Sequence, residues 1–206
     1  MKKKFILAIL IFLIISIFIL AKFEYKKLFS GNNISKSDNT DILNISSYEA
    51  TIEVEVYSNK NTNKYLIKQK YVEPNIFRQE IINPTSIEGI TIISNGEQTI
   101  LENKAYNLKT VYENFKGKAS NLSLVSFINA YKEDEGSKIE ENEKEKIMKT
   151  KIKDSNNKYQ KYQNLYISKK TNLPTKMEIL DINQNRTVYI LYNEIVINKT
   201  NPRDIL

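Results

Sequence analysis

Apolar and polar residues alternate one for one from Tyr48 to Tyr57. Tyr48, Ala50, Ile52, Val54 and Val56 fall on one side, and Glu49, Thr51, Glu53 and Glu55 on the other. Successive side chains of a strand point to opposite faces, so the pattern predicts a strand buried on one face and wet on the other. Ser58 to Asn63 reads as a turn, and Lys64 to Val72 as the returning strand, stopped before Pro74. From Tyr71 to Gly96 the chain is cut by residues that end or bend strands. Pro74 and Pro84 cannot donate to a ladder, and Gly89 admits a sharp bend. Between them lie strands at Ile76–Ile82 and Ile90–Ser94, and Asn95-Gly96 is expected to supply the positive φ angles of a two-residue hairpin turn.

The same alternation predicts strands over Glu97–Glu102, Ala105–Tyr112, Ile147–Lys153, Tyr159–Ser168, Thr175–Ile182 and Arg186–Asn198. Turns are expected at Asp154–Asn157, Thr171–Pro174 and Asn183–Asn185, where Asn, Asp and Pro cluster. Only Leu122–Tyr131 switches to helical spacing within the domain. Leu122, Val125 and Ile128, or Leu124, Phe127, Ile128 and Tyr131, make one apolar stripe suited to core packing. Asp38 to Ile45 reads as about two helical turns capped by Asp38 or Asn39. Lys132 to Lys146 is a mixed-charge run that reads as a solvated loop. The fold class is mainly β with α+β character: a curved antiparallel sheet or open half-barrel of about nine strands, covered by one helix.

The N-terminus breaks the pattern. Met1-Lys2-Lys3-Lys4 precedes 17 uncharged residues, Phe5 to Ala21, which as a helix would span roughly 25 Å. That is slightly short of a ~30 Å hydrocarbon core, and flanking lysines can snorkel to close the gap. Ile19-Leu20-Ala21 lacks the small-residue pair of a cleavage site, so an uncleaved signal-anchor is the better reading. The lysine cluster puts the N-terminus in the cytoplasm. The expected organisation is a basic tail (1–4), a transmembrane anchor (5–21), a juxtamembrane tether (22–37) and an extracytoplasmic domain (38–206). The protein would be single-pass in the cell membrane, with the domain outside.

Charge narrows the function. The chain holds 31 Lys and Arg against 24 Asp and Glu, a formal +7. Seven lysines and three acids fall within residues 1–41, so residues 42–206 carry only +3. Nucleic-acid binding needs a concentrated basic face and is not expected. The chain has no Cys and no His. This removes disulfides, thiolate nucleophiles, Ser-His or Cys-His catalysis and His-based metal sites. With five Gly in all, nothing reads as a phosphate-binding loop.

What catalysis could use is carboxylates, and Glu53 with Glu55, or Glu80 with Glu88, are the nameable pairs. The alternation already explains them as outward-facing, so an enzyme is not expected, and no cofactor or metal is assigned. Of three arginines, Arg78 lies mid-strand on the face of Ile76, Glu80 and Ile82. It is either one half of a same-face ion pair with Glu80 or a recognition group for an anionic ligand or partner carboxylate. Many of the 13 Tyr fall on the alternating strands, and Tyr is enriched at interfaces as well as in sheets.

Pro74-Asn75-Ile76-Phe77-Arg78-Gln79-Glu80, then Pro84, then Ile92-Ile93-Ser94-Asn95-Gly96 resembles the LolA/RseB superfamily of envelope proteins. The likeness extends through the helix at Leu122–Tyr131, Leu165-Tyr166-Ile167 and Leu173-Pro174-Thr175-Lys176-Met177-Glu178, covering roughly residues 38–198. Within that superfamily the chain looks most like the clostridial germination protein GerS family. The resemblance implies a LolA-like domain and a non-catalytic protein of the forespore or spore envelope. Its role would be to bind and activate a peptidoglycan amidase of the CwlD type in cortex modification and germination. Arg78, Phe77 and Glu80 of the motif are the candidate partner or ligand contacts. The alternative implied by the same superfamily is a carrier or sensor of lipid or lipoprotein acyl chains in a cavity between sheet and helix. Two departures bear on this. No lipobox Cys is present, so the anchor would be Phe5–Ala21, and Glu73 stands where carriers of the LolA type have a basic residue before the motif proline.

Overall fold

The structure, a computed structural model, describes residues 41–113, 121–152 and 157–199. Eleven strands make a single sheet in the order β6-β5-β4-β3-β2-β1-β11-β10-β9-β8-β7. The strands are β1 (Ser47–Tyr57), β2 (Thr62–Val72), β3 (Ile76–Asn83), β4 (Ile90–Ser94), β5 (Gln98–Asn103) and β6 (Leu108–Glu113). After helix α1 (Leu124–Glu133) follow β7 (Lys138–Glu141), β8 (Glu145–Lys151), β9 (Tyr162–Ser168), β10 (Pro174–Leu180) and β11 (Arg186–Ile197). Every neighbouring pair is antiparallel. The strands therefore start at the centre, meander out to one edge, resume after α1 at the other edge and meander back. The first and last strands meet in the middle.

That meeting is stapled. Asn198, in the left-handed region at φ 58°, donates its N–H to the Ser47 carbonyl at 2.8 Å. Its side-chain oxygen accepts from the Ser46 N–H at 2.8 Å. The two meanders cannot slide without breaking both bonds.

The predicted alternation places the core. Tyr48, Ala50, Ile52 and Val54 of β1 are buried, as are Met177 and Ile179 of β10 and Val188 and Ile190 of β11. Helix α1 lies over them. Ser123 caps it by accepting the Ser126 N–H at 3.0 Å, and Leu124, Val125, Phe127 and Ile128 turn inward. The expected stripe is the observed one, with Leu122 and Tyr131 packed at its margins.

Four expectations need correction. The sheet has eleven strands where about nine were counted: each of the ten ranges read holds a strand, and the one added is β7, inside the charged run expected to be a loop. An edge strand wet on both faces has no reason to alternate, and Ile139 is its one apolar residue. The two helical turns before β1 shrink to a single 3₁₀ turn, Ile42–Asn44, and its cap is Asp41, whose side chain accepts from the Leu43 N–H at 3.1 Å. The hairpin turn after β4 sits one residue later than expected. Gly96 alone has positive φ, at 90°, while Asn95 accepts the N–H of Glu97 at 3.0 Å and of Gln98 at 2.8 Å through its side chain. A methyl group at Gly96 would meet Asn75 Cβ at 2.9 Å, so both conformation and space require glycine there. Ala105 is drawn into a 3₁₀ turn, Lys104–Tyr106, so β6 starts later than read.

The expected anchor, tether and basic tail lie outside the described residues, as does most of the turn expected at Asp154–Asn157. Among the described residues no helix is long and apolar enough to cross a membrane.

Candidate functional site

The motif residues divide between the two faces of β3. Phe77 points inward and is 6 % exposed, beside Tyr71 on the paired strand. Arg78 and Glu80 point outward and meet each other, Nη2 to Oε2 at 3.4 Å. The backbone alternation forbids all three from sharing a surface. Arg78 and Glu80 are a same-face pair on the wet side, and Phe77 belongs to the core.

Of the carboxylates nominated for catalysis, Glu53, Glu55 and Glu80 are engaged on the same outer face, while Glu88 lies off the strands, at the end of the Thr85–Ile87 turn. Glu53 accepts the side-chain N–H of Asn193, the extra residue of a bulge in β11, at 2.8 Å. Glu55 takes Lys64 and the Tyr57 hydroxyl, and these two, Lys64 first, hold its carboxyl below the usual range. Hydrogen bonds from the backbone of Lys151 and Gly136 do the same for Asp134, and Lys169 does it for Glu141. A general acid needs the opposite shift. Among the described residues no group of three or more Asp or Glu is placed to hold a metal ion.

What the outer face does contain is a ladder of charges and tyrosines running across six strands. It starts at Lys64 on β2 and Glu55 and Tyr57 on β1. On β11 the Arg186 guanidinium lies over the Tyr57 ring at 5.2 Å and the Tyr189 ring at 4.9 Å. It also donates to Glu178 of β10 at 3.2 Å. Glu178 accepts the Tyr166 hydroxyl of β9 at 2.8 Å, and Lys176 Nζ stands 4.2 Å from the centre of the Tyr166 ring. Thr175 closes the series with a 3.2 Å bond to Glu145 of β8. Burial, then the bond to Glu178, pushes the Tyr166 hydroxyl up to about 12. Sequence reading took the strand tyrosines together and did not connect Tyr57, Tyr166 and Tyr189 with one another. The signal that could have united them is cross-strand: Glu55 opposite Tyr189, Tyr189 opposite Glu178, Lys176 opposite Tyr166.

The inner face carries a second set of polar groups that sequence reading passed over. The Tyr48 hydroxyl donates to Gln69 at 3.1 Å, and Gln69 donates to Gln79 at 3.1 Å and to the Leu122 carbonyl at 3.4 Å. Gln163 donates to the Asn121 carbonyl at 2.9 Å. These buried amides hold the approach to α1 against the sheet. Their signal was present: a Gln at inward positions, two residues from Ile67 and Tyr71, from Phe77, or from Leu165. Among the described residues one buried group is left over, the Tyr192 hydroxyl, which has no protein partner.

One helix lies on an open antiparallel sheet, with paired charges on the outer face and hydrogen-bonded amides on the inner one. The chain resembles several solved structures. One is an uncharacterised conserved protein of Thermus thermophilus (12% identity, 79% of this chain, 85% of that one, TM-score 0.52). Another is the Clostridioides difficile CwlD amidase in complex with the GerS lipoprotein (24% identity, 81% and 98%, TM-score 0.46). A third is a LolA superfamily protein of Nitrosomonas europaea (10% identity, 78% and 90%, TM-score 0.42). No curated protein matches the chain. A family model does, over residues 2–205, and the chain belongs to the sporulation protein YdcC-like family.

Proposed function

We propose that the protein is a membrane-tethered, non-catalytic binding protein of the forespore or spore envelope that engages and activates a peptidoglycan amidase. Membership of a sporulation family supports the setting. The amidase comes from the resemblance of the Pro74–Glu80 motif and the strands after it, and the tether from the apolar run Phe5–Ala21.

The observation that carries the binding role is the outer ladder. Tyr and Arg dominate the energetic centres of protein interfaces, and here Tyr57, Tyr166, Tyr189 and Arg186 are fixed in one row on rigid strands. Fixing them beforehand lowers the ordering cost of association. The interior supports a surface role over carriage of an acyl chain, because Tyr48, Leu124, Phe127, Leu165 and Met177 fill the space between helix and sheet at 0 % exposure.

The test is co-expression of the full chain with the peptidoglycan amidase of the same cells. The expected result is co-purification and a rise in amidase activity, both weakened at least tenfold by Arg186→Ala with Tyr57→Ala. An amidase neither retained nor stimulated overturns the proposal.

A further inference from the structure

The charges of the outer ladder answer one another. Lys64 pairs with Glu55 at 2.5 Å, Arg186 with Glu178 at 3.2 Å and Lys176 with Glu145 at 3.9 Å. The fourth carboxylate, Glu53, is held by the Asn193 amide at 2.8 Å. Separations of this size lie well inside the Debye length, about 8 Å at physiological ionic strength, so little net field reaches an approaching partner. The cations are masked a second time, Arg186 over the rings of Tyr57 and Tyr189 and Lys176 4.2 Å from the centre of the Tyr166 ring.

Apolar side chains stand between these pairs, on a face that alternation would leave to polar ones. Glu53 lies opposite Leu66 on one side and Leu191 on the other, Leu191 opposite Lys176, Lys176 opposite Tyr166, and Tyr166 opposite Ile147. One row thus crosses β2, β1, β11, β10, β9 and β8, with Leu66, Leu191 and Ile147 half-buried along it. The row also has a shape. Asn193 of β11 and Thr175 of β10 are the extra residues of two bulges, and both direct their side chains to outer carboxylates, Glu53 and Glu145. An extra residue on one side lengthens that side and bends the strand. β10 and β11 therefore curve with their outer face convex, away from α1.

We propose that the partner meets this convex row with a concave cleft lined by uncharged, mainly apolar side chains, which closes over Leu191 and Ile147 and brings no countercharge. The proposal rests on the amidase reading above and adds to it the chemistry of the surface that the amidase must offer. Such an interface depends on buried apolar contact, and charge steering has little part in it.

The experiment is interferometry with the full chain held in detergent on a sensor and the peptidoglycan amidase of the same cells in solution. The dissociation constant is expected to change less than twofold between about 50 and 500 mM salt. Leu191→Thr and Ile147→Thr keep a strand-forming residue and remove apolar surface, and each is expected to weaken binding tenfold or more. Leu101→Thr, on the inner face of β5, is expected to leave affinity unchanged. Circular dichroism of each variant should match the wild type, and the salt titration of the wild type stands whether or not the variants fold. An amidase that binds but loses tenfold or more in affinity over that salt range overturns the cleft and leaves the amidase reading intact. Folded Leu191→Thr and Ile147→Thr variants that bind as tightly as the wild type do the same. An amidase that does not bind at all overturns both.

Discussion

Every buried hydrophobic side chain among the described residues belongs to Ile42–Phe77 or Leu124–Ile197. The strands between them, β4 to β6, bury only polar groups: Thr91, Thr99 and Asn103. One sheet therefore has two kinds of backing. The half under α1 is held by a filled core, while the β4–β6 wing is held by its ladders and by turns such as that of Asn95. Ladder hydrogen bonds each contribute about 1 kcal/mol net, and burial of a large apolar side chain about 2–3 kcal/mol. The wing is thus expected to be the low-stability region.

The largest expected effect tests that contrast directly. Phe127→Ala removes a fully buried ring from under the helix and should cost about 3–5 kcal/mol. Leu101→Ala, at a side chain 38 % exposed on β5, should cost under about 1 kcal/mol. Equilibrium urea unfolding of the two variants measures both. Native-state hydrogen exchange should agree, with amides of β4 to β6 opening at lower free energy than those of β1, β10 and β11. Equal losses for the two substitutions, or uniform exchange across the sheet, would break the comparison.

How far was this division visible in the chain? β1 was legible because strict alternation has one physical cause, a sheet with one dry face. α1 was legible for the same reason at helical period, down to Phe127 and Ile128. The backing of the wing was not. Ile90 and Ile92 look as apolar on paper as Ile52 or Ile190, and what separates them is whether a helix lies above, which depends on the crossing of the whole chain. β7 was missed because a strand exposed on both faces leaves no period to read. The candidate surface fared least well. Arg78 and Glu80 were placed together correctly from spacing along one strand, and Phe77, adjacent in sequence, falls on the opposite face. The outer ladder is a property of register across six strands, and residues such as Glu55, Arg186 and Glu178 lie far apart in the sequence.

Two buried tyrosines on the well-backed half give the next contrast. The Tyr48 hydroxyl donates to Gln69, which in turn reaches Gln79 and Leu122. Tyr48→Phe leaves the Gln69 oxygen one donor short and should cost about 1–2 kcal/mol. Tyr192→Phe deletes a buried hydroxyl that has no protein partner, and stability should hold or rise by up to about 1 kcal/mol. Thermal and urea unfolding separate the two readily. A clear loss for Tyr192→Phe would mean that its hydroxyl is satisfied after all.

The outer ladder adds a pH dependence of its own. Tyr166 holds its proton up to about 12, against an ordinary tyrosine value near 10. Between about pH 10 and 12 the unfolded chain therefore releases this proton first, the folded state binds more protons, and stability falls as pH rises. Tyr166→Phe should flatten that part of the alkaline unfolding curve, even though it forfeits the bond to Glu178. Following unfolding by circular dichroism and ionisation by phenolate absorbance checks both ends of the linkage. An unchanged slope in the variant would show that the outer ladder does not shield Tyr166.

The smallest effect lies at the β7 edge of the sheet. Asp134 ends α1, and its carboxylate accepts the N–H of Lys151 at 3.0 Å and of Gly136 at 2.9 Å, with the Thr150 hydroxyl at 3.2 Å. The two backbone bonds hold its pKa below the usual value, so its stabilisation is complete above the unfolded pKa and fades as pH falls through the folded one. In that window the unfolded state binds the extra proton. Asp134→Asn cannot titrate, so the gap between wild type and variant should be widest at about pH 6 and should close below about pH 3. Urea midpoints measured at both pH values decide it. A gap that persists unchanged into acid would place the role of Asp134 in shape alone, and the charge at the junction of α1 and the β7–β8 hairpin would then contribute nothing to stability.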